Sequence, residues 1–181
     1  MIKPDSLIDR LHRWDELALT EVYDTFAPAL YRYSYRLLGH QPTAQDIVAD
    51  TFFRLLTALK KGSGPKENIS AWLYRVAHNL VVDYYRRSPP EEPVSIDSVQ
   101  LFAPDGSADR IMEQEKATYL RQVMWKLTTA QQQVIALRFL EGLSNEEVAD
   151  IMSKTVGSVK ALQHRALASL RRILEKENVQ F

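Results

Sequence analysis

The chain has 181 residues, enough for one ordinary domain or two small ones, and 45% of them are apolar, as in a folded protein. Its 23 basic and 23 acidic residues cancel. A global basic excess therefore does not drive any nucleic-acid binding, and a DNA-reading face has to be local or completed by a partner. Cysteine is absent, which removes disulfides, thiolate metal sites and cysteine nucleophiles. The charged start MIKPDSLIDRLHRWDEL does not have the pattern of a secretion signal, and no apolar run is long enough to span a membrane. A cytoplasmic protein without membrane insertion is expected.

The pattern is helical almost throughout. Residues 7–39 carry Leu, Ala, Tyr and Arg at helical spacing, with Pro28 predicting a bend or restart and Gly39 a stop. Thr43, with Asp46 in the first turn, reads as the cap of a second helix whose apolar stripe is Val48, Phe52, Leu55 and Leu59. Residues 60–66 form a loop by composition, and Asn68 or Ser70 can cap a third helix to 87 with an inner stripe of Ile69, Trp72, Val76, Leu80 and Tyr84. Residues 88–110 then hold four of the eight prolines, and five acids against Arg110 alone. That composition builds no packed core; Val94–Leu101 is its one mild strand candidate. The expected fold is all-α: two small helical domains, 1–88 and 111–181, joined by an acidic, proline-rich linker at 89–110.

The second domain is predicted as a helix over 111–127, then one over 129–141 opened by a Thr128/Gln131 capping box and stopped by Gly142. A short helix over 145–152 follows, opened by a Ser144/Glu147 box, and a last helix over 156–176 is capped by Thr155. A short helix, a tight turn and a longer helix make a helix-turn-helix. Ala149 is the small residue where the two helices meet, and Val148, Ile151, Met152, Val156, Val159 and Leu162 lock them. The turn carries Ser153-Lys154 where glycine is usual. In the last helix Val159, Leu162, Ala166, Leu170 and Ile173 form one face, and Ala161, His164, Arg165, Ala168 and Arg172 the other. Six basic residues and one acid lie between Lys154 and Lys176, a locally positive field on a neutral chain. Arg, Lys and His can meet base edges; Thr155 and Ser158 at the helix start can meet a phosphate. A plain solvated basic helix is the alternative.

Catalytic patterns are missing. His12, His40, His78 and His164 lack metal-ligand spacing, Gly62–Lys66 lacks the order of a phosphate loop, and there is no GxSxG element. No enzyme activity, cofactor or metal is expected. An autonomous helix-turn-helix regulator and a pure protein-interaction module are the competing classes.

Residues 127–172, LTTAQQQVIALRFLEGLSNEEVADIMSKTVGSVKALQHRALASLRR, resemble domain 4 of the extracytoplasmic-function sigma factors of the sigma-70 family. TEVYDTFAPALYRYSYRLLG, TAQDIVADTFFRLLTAL and SAWLYRVAHNLVVDYYRR resemble domain 2. The resemblance implies a subunit that binds core RNA polymerase and directs transcription initiation. Asp46, Asp50 and Phe53 would meet the β′ clamp helices, with Ala49 in place of the family's usual glutamine; on spacing alone, the two acids read rather as a solvated face. Arg75, Asn79 and Arg86, on an outward stripe with Val82, would bind and melt the −10 element, Asn79 at an extruded base, with the 60–67 loop completing its pocket. Lys160, Ala161, His164, Arg165 and Arg172, with Thr155 and Ser158, would read the −35 element; Ala161 replaces a small polar residue. The resemblance further implies the β flap as a contact, promoter DNA as ligand and an anti-sigma factor as partner. The linker would be either a charge mimic inside the polymerase or a simple tether.

Overall fold

The structure is a computed structural model that describes residues 6–87, 119–120 and 122–176. The predicted linker, its strand candidate and the stretch 111–118 lie outside the described residues. Seven α-helices have defined bounds: α1 (Leu7–His12), α2 (Glu16–Leu38), α3 (Gln41–Lys60), α4 (Ile69–Arg87), α5 (Thr129–Ile135), α6 (Asn145–Ile151) and α7 (Val156–Lys176). Residues 122–125 are also helical, a π-helical turn spans Ala136–Leu140, and the described residues contain no strand.

The first break in the chain comes earlier than the predicted one. Ser6 and Asp9 form a capping box on α1, Trp14 turns the backbone with φ 58, and the Asp15 carboxylate accepts from the Leu17 and Ala18 N–H groups to start α2. Pro28 does not divide α2. It sits on an exposed position, and Val22, Leu30, Tyr33 and Leu37, each at most 1% exposed, hold the helix against its neighbours on both sides of the proline. Gly39 ends α2 with φ 66, as expected. The start of α3 is also corrected: His40, not Thr43, is the N-cap, and Thr43 lies inside the first turn. Pro42 suits that turn because it has no N–H to leave unbonded. The stripe Val48, Leu55 and Leu59 is buried, with Phe52 half-buried beside it.

Asn68 caps α4 by accepting from the Ala71 N–H at 2.9 Å. The predicted inner stripe of α4 is rotated from the observed one. Ala71, Leu73, Tyr74, Ala77, His78, Leu80 and Val81 are buried, whereas Ile69, Trp72, Val76 and Tyr84 are half-buried. The cause is double-sided packing: α4 lies against α2 and α3 on one side and against α6 on the other. Only part of that burial is visible as a single amphipathic face.

Both predicted capping boxes form, at Thr128/Gln131 and Ser144/Glu147. The helix predicted over 129–141 changes character at Ala136, where a π turn closes with the Glu141 N–H donating to the Ala136 carbonyl at 2.9 Å. Gly142, with φ 72, then redirects the chain. Buried residues from α1 to α7 form one cluster, so the two helical groups share a continuous apolar interior.

Candidate nucleic-acid interface

The α6–turn–α7 unit folds as the sequence predicts. Val148, Ala149, Ile151, Met152, Val159 and Leu162 are buried between the two helices, and Val156 is half-buried. The turn closes with the Lys154 N–H donating to the Ala149 carbonyl at 2.8 Å. Ser153 has φ 52, the left-handed conformation for which glycine is usual. Gln163 donates to Asn145 at 2.6 Å and pins the start of α6 to the middle of α7. Thr155 caps α7, its hydroxyl accepting from the Ser158 N–H at 3.1 Å and donating to the Ser158 hydroxyl at 2.9 Å.

This scaffold leaves Thr155, Ser158, Lys160, Ala161, His164 and Arg165 exposed along the start and middle of α7. Arg172 is exposed on the same stripe, about 10 Å beyond Arg165 at the α-helical rise. There it donates to the Ser169 hydroxyl at 3.1 Å and lines a cavity of about 410 Å³ with Lys126, Gln131, Ile173 and Lys176. The structure thus brings six of the seven predicted residues together and sets Arg172 apart. Leu170 and Ile173, predicted on the inner face, are half-buried.

A second surface lies on α4. Arg75, Asn79 and Arg86 are exposed on one stripe, and Val82 on it is half-buried. Arg86 pairs with Asp83 at 3.7 Å, so the acid that dilutes this face also orients one of its cations. Arg75 is engaged by Asp150 of α6 at 3.3 Å. Trp72, Tyr84 and Tyr85 are half-buried, and the Tyr85 hydroxyl donates to the Leu37 carbonyl. Burial pushes that phenol well above its ordinary pKa. The loop beside α4 is tied down: Gly64 and Pro65 are buried, and the His12 ring lies 2.9 Å from the Pro65 carbonyl. A Cβ on Gly64 would stand 2.8 Å from Leu59 Cδ2, so a larger residue there would have to push that side-chain end aside.

A third surface is the outer stripe of α3. Asp46, Ala49, Asp50 and Phe53 are all exposed, Phe53 at 69%. Leu56, 40% exposed and three residues on, extends the apolar part. Sequence reasoning passed over it because a leucine on a helix reads as core by default; its spacing from Phe53 was the available signal.

Glu141 is the functional-looking group that sequence reasoning missed. Its side chain is only 5% exposed. It accepts from Arg36 of α2 at 2.5 Å and from the Tyr74 hydroxyl of α4 at 2.7 Å. Burial, then this carboxylate, push the Tyr74 phenol well above its ordinary value. Close by, the Tyr33 hydroxyl lies 3.1 Å from His78 Nδ1, and burial with the nearby Lys154 charge lowers the His78 pKa to about 4. Among the described residues, no three His, Asp or Glu side chains gather as a metal-binding group, and no helix is long and apolar enough to cross a membrane.

Fold and surfaces together define an all-α helix-turn-helix protein with a locally basic, exposed helix face. The family model for Sigma-70 region 2 matches residues 22–89, and the model for Sigma-70, region 4 matches residues 123–172, together more than half of the chain. The chain is 32% identical over 172 residues to the ECF RNA polymerase sigma factor BldN of Streptomyces coelicolor, covering 93% of this chain and 64% of that one. It is 28% identical over 177 residues to the ECF RNA polymerase sigma factor SigW of Bacillus subtilis, covering 92% and 94%. Its fold is similar to that of CnrH, solved in complex with the cytosolic domain of CnrY, with TM-score 0.73, 22% identity and coverage of 94% and 96%. The chain belongs to the sigma-70 family of RNA polymerase sigma factors, within its extracytoplasmic-function class. Membership carries promoter-specific initiation of transcription with RNA polymerase.

Proposed function

We propose that this chain performs promoter-specific initiation through three separate surfaces. Asp46, Asp50, Phe53 and Leu56 on α3 dock on the β′ clamp helices of core polymerase. Arg75, Asn79 and Arg86 on α4 bind and open the −10 element, with Asn79 hydrogen-bonding an extruded base. Thr155, Ser158, Lys160, Ala161, His164 and Arg165 read the −35 element, and Arg172 adds a phosphate contact. On this reading residues 1–88 and 111–181 are the two working domains and 89–110 is the tether between them; the second domain also meets the β flap. The chain acts by binding, without a catalytic step or cofactor of its own, in the cytoplasm. An anti-sigma factor is its regulator, by analogy with the partners named for RpoE of Bartonella quintana, solved with the anti-sigma factor NepR.

The observation that carries the proposal is the exposed polar and basic start of α7, held rigidly by the buried α6–α7 contact. The test is a reconstitution of the protein with bacterial core polymerase on a promoter library, with run-off transcripts sequenced. Transcripts should start a fixed distance from a shared two-part motif. Arg165→Ala should cost about 1–3 kcal/mol at the upstream half of that motif, and Asn79→Ala should abolish opening at the downstream half. Absence of transcripts, together with no co-migration with core polymerase, would overturn the reading in favour of an autonomous regulator.

A further inference from the structure

Apart from Arg172, the cavity of about 410 Å³ at the far end of α7 belongs to none of the three surfaces. It opens between the start of α5 and the last two turns of α7. Lys126, Arg172 and Lys176 line it, and among the described residues no acid does. Arg172 and Lys176 are four residues apart, so they share one face of α7. Glu175, beside Lys176, is taken by Arg171 at 2.9 Å. The wall between the cations is a fixed set of hydrogen bonds. The Gln131 side chain accepts from the Thr128 N–H at 3.1 Å and donates to the Ser169 hydroxyl at 3.3 Å. Arg172 donates to the same hydroxyl at 3.1 Å, which orients its guanidinium and leaves further N–H groups for a ligand. Ser169 accepts twice, so its own O–H is left to donate. The Thr128 hydroxyl, which accepts from the Gln131 N–H at 3.4 Å, is in the same state.

The cavity therefore offers positive charge and donors. The Gln131 carbonyl oxygen, which could have received a ligand's proton, is already occupied by the Thr128 N–H. Ile173 is its one apolar lining residue, too little wall to hold a ring system by burial. Its volume is at the small end of the range of ligand sites, and a single negative charge would leave two of its three cations unmatched. We propose that this cavity is a binding site for an oligophosphate group, carried by a nucleoside triphosphate or by inorganic polyphosphate. Arg172 presents its planar fork to the phosphate oxygens, Lys126 and Lys176 neutralise the remaining charge, and the Thr128 and Ser169 hydroxyls donate. The site itself does not use the promoter reading of α7. Its consequence does: an Arg172 held by a bound oligophosphate no longer reaches a DNA phosphate, so the ligand weakens the grip on the −35 duplex.

The test is calorimetric titration of the full chain with tripolyphosphate, GTP and ATP in metal-free buffer at low salt, where exposed charges are least screened. The expected result is one saturable site. Arg172→Ala, at an exposed position, should weaken it roughly tenfold or more through loss of charge-assisted hydrogen bonds. Ser169→Ala, which frees the guanidinium from its orienting partner, should weaken it about threefold. Arg54→Ala removes the same charge from an exposed position on α3 and should leave the affinity unchanged. Tighter binding of the nucleotides than of tripolyphosphate would identify a nucleotide as the source of the group. Equal binding would identify the inorganic chain, and either result supports the site. Absence of saturable binding to all three, or an equal loss in Arg54→Ala and Arg172→Ala, would overturn it. If no oligophosphate binds while Arg172→Ala still lowers affinity for a −35 duplex, the cavity belongs to the DNA contact alone, and the promoter reading stands without it. If tripolyphosphate binds through Arg172 but does not weaken duplex binding, the site stands and the assignment of Arg172 to the DNA fails.

Discussion

At the scale of the residue, two side chains sit where their chemistry is under tension. His78 is buried, and burial first, then Lys154, hold its pKa at about 4 against an ordinary 6.5. The folded chain thus binds fewer protons than the unfolded chain between those values. The associated stability is complete above about pH 6.5 and is lost as pH falls through that window to about 4. The shift corresponds to about 3 kcal/mol at most. Denaturant unfolding at neutral and mildly acidic pH should show this loss in the parent, and His78→Leu, although it removes the partner of Tyr33, should flatten the pH dependence over that interval. An unaltered slope in the variant would mean that other groups carry the acid sensitivity. Ser153 is the second case. Its φ of 52 costs a side-chain-bearing residue about 1–2 kcal/mol relative to glycine, part of which glycine gives back as chain entropy. Ser153→Gly should raise stability by up to about 1 kcal/mol, seen as a higher denaturation midpoint with the same m-value.

At the scale of the element, starts and stops written in local chemistry were legible, and those set by packing were not. The boxes at Thr128/Gln131 and Ser144/Glu147, the Asn68 cap and the glycine stops at Gly39 and Gly142 all stand where the sequence put them. They follow from hydrogen bonds within four residues, which a sequence displays directly. Ser144→Ala should therefore cost about 1 kcal/mol by leaving the Glu147 N–H without its acceptor, while the Glu147 carboxylate keeps the backbone N–H of residue 144 and Asn68, the groups that lower its pKa. Thermal unfolding of Ser144→Ala beside Glu146→Ala, an exposed position outside the box, checks the assignment. Pro28 misled because the burial of Val22, Leu30, Tyr33 and Leu37 outweighs a local break. The α4 stripe misled because two partners bury two faces of one helix. The π turn and the burial of Glu141 had no local signal: an acid beside Gly142 at a helix end reads as solvated until α2 and α4 supply Arg36 and Tyr74. The candidate surfaces fared better than the cores. Exposed stripes on α3, α4 and α7 need only helical period and polarity to be drawn.

At the scale of the whole molecule, a neutral chain has to concentrate its positive charge to touch DNA at all. Lys154, Lys160, Arg165, Arg171, Arg172 and Lys176 are exposed on and just before α7. Arg171 is paired with Glu175 at 2.9 Å and Arg172 donates to Ser169, while Glu146 and Asp150 on α6 place exposed acids beside the same unit. Each phosphate neutralised contributes about −0.9 to the slope of log K against log salt on duplex DNA. Six cations at full effect set a limit of about −5.4 by that rule, and the two engaged arginines pull the expectation shallower. Binding of the protein to a duplex carrying its −35 half-site, titrated from low to high salt by fluorescence anisotropy, should give a slope of about −2 to −4. Arg165→Ala should reduce the steepness by about 1 and lower affinity for the cognate half-site more than for random duplex, because a base contact is lost with the phosphate-range charge. Lys154→Ala, at the turn, should lower both equally. A parent slope near −8 would require cations from other helices on the DNA, and the division of labour between α4 and α7 would then have to be redrawn.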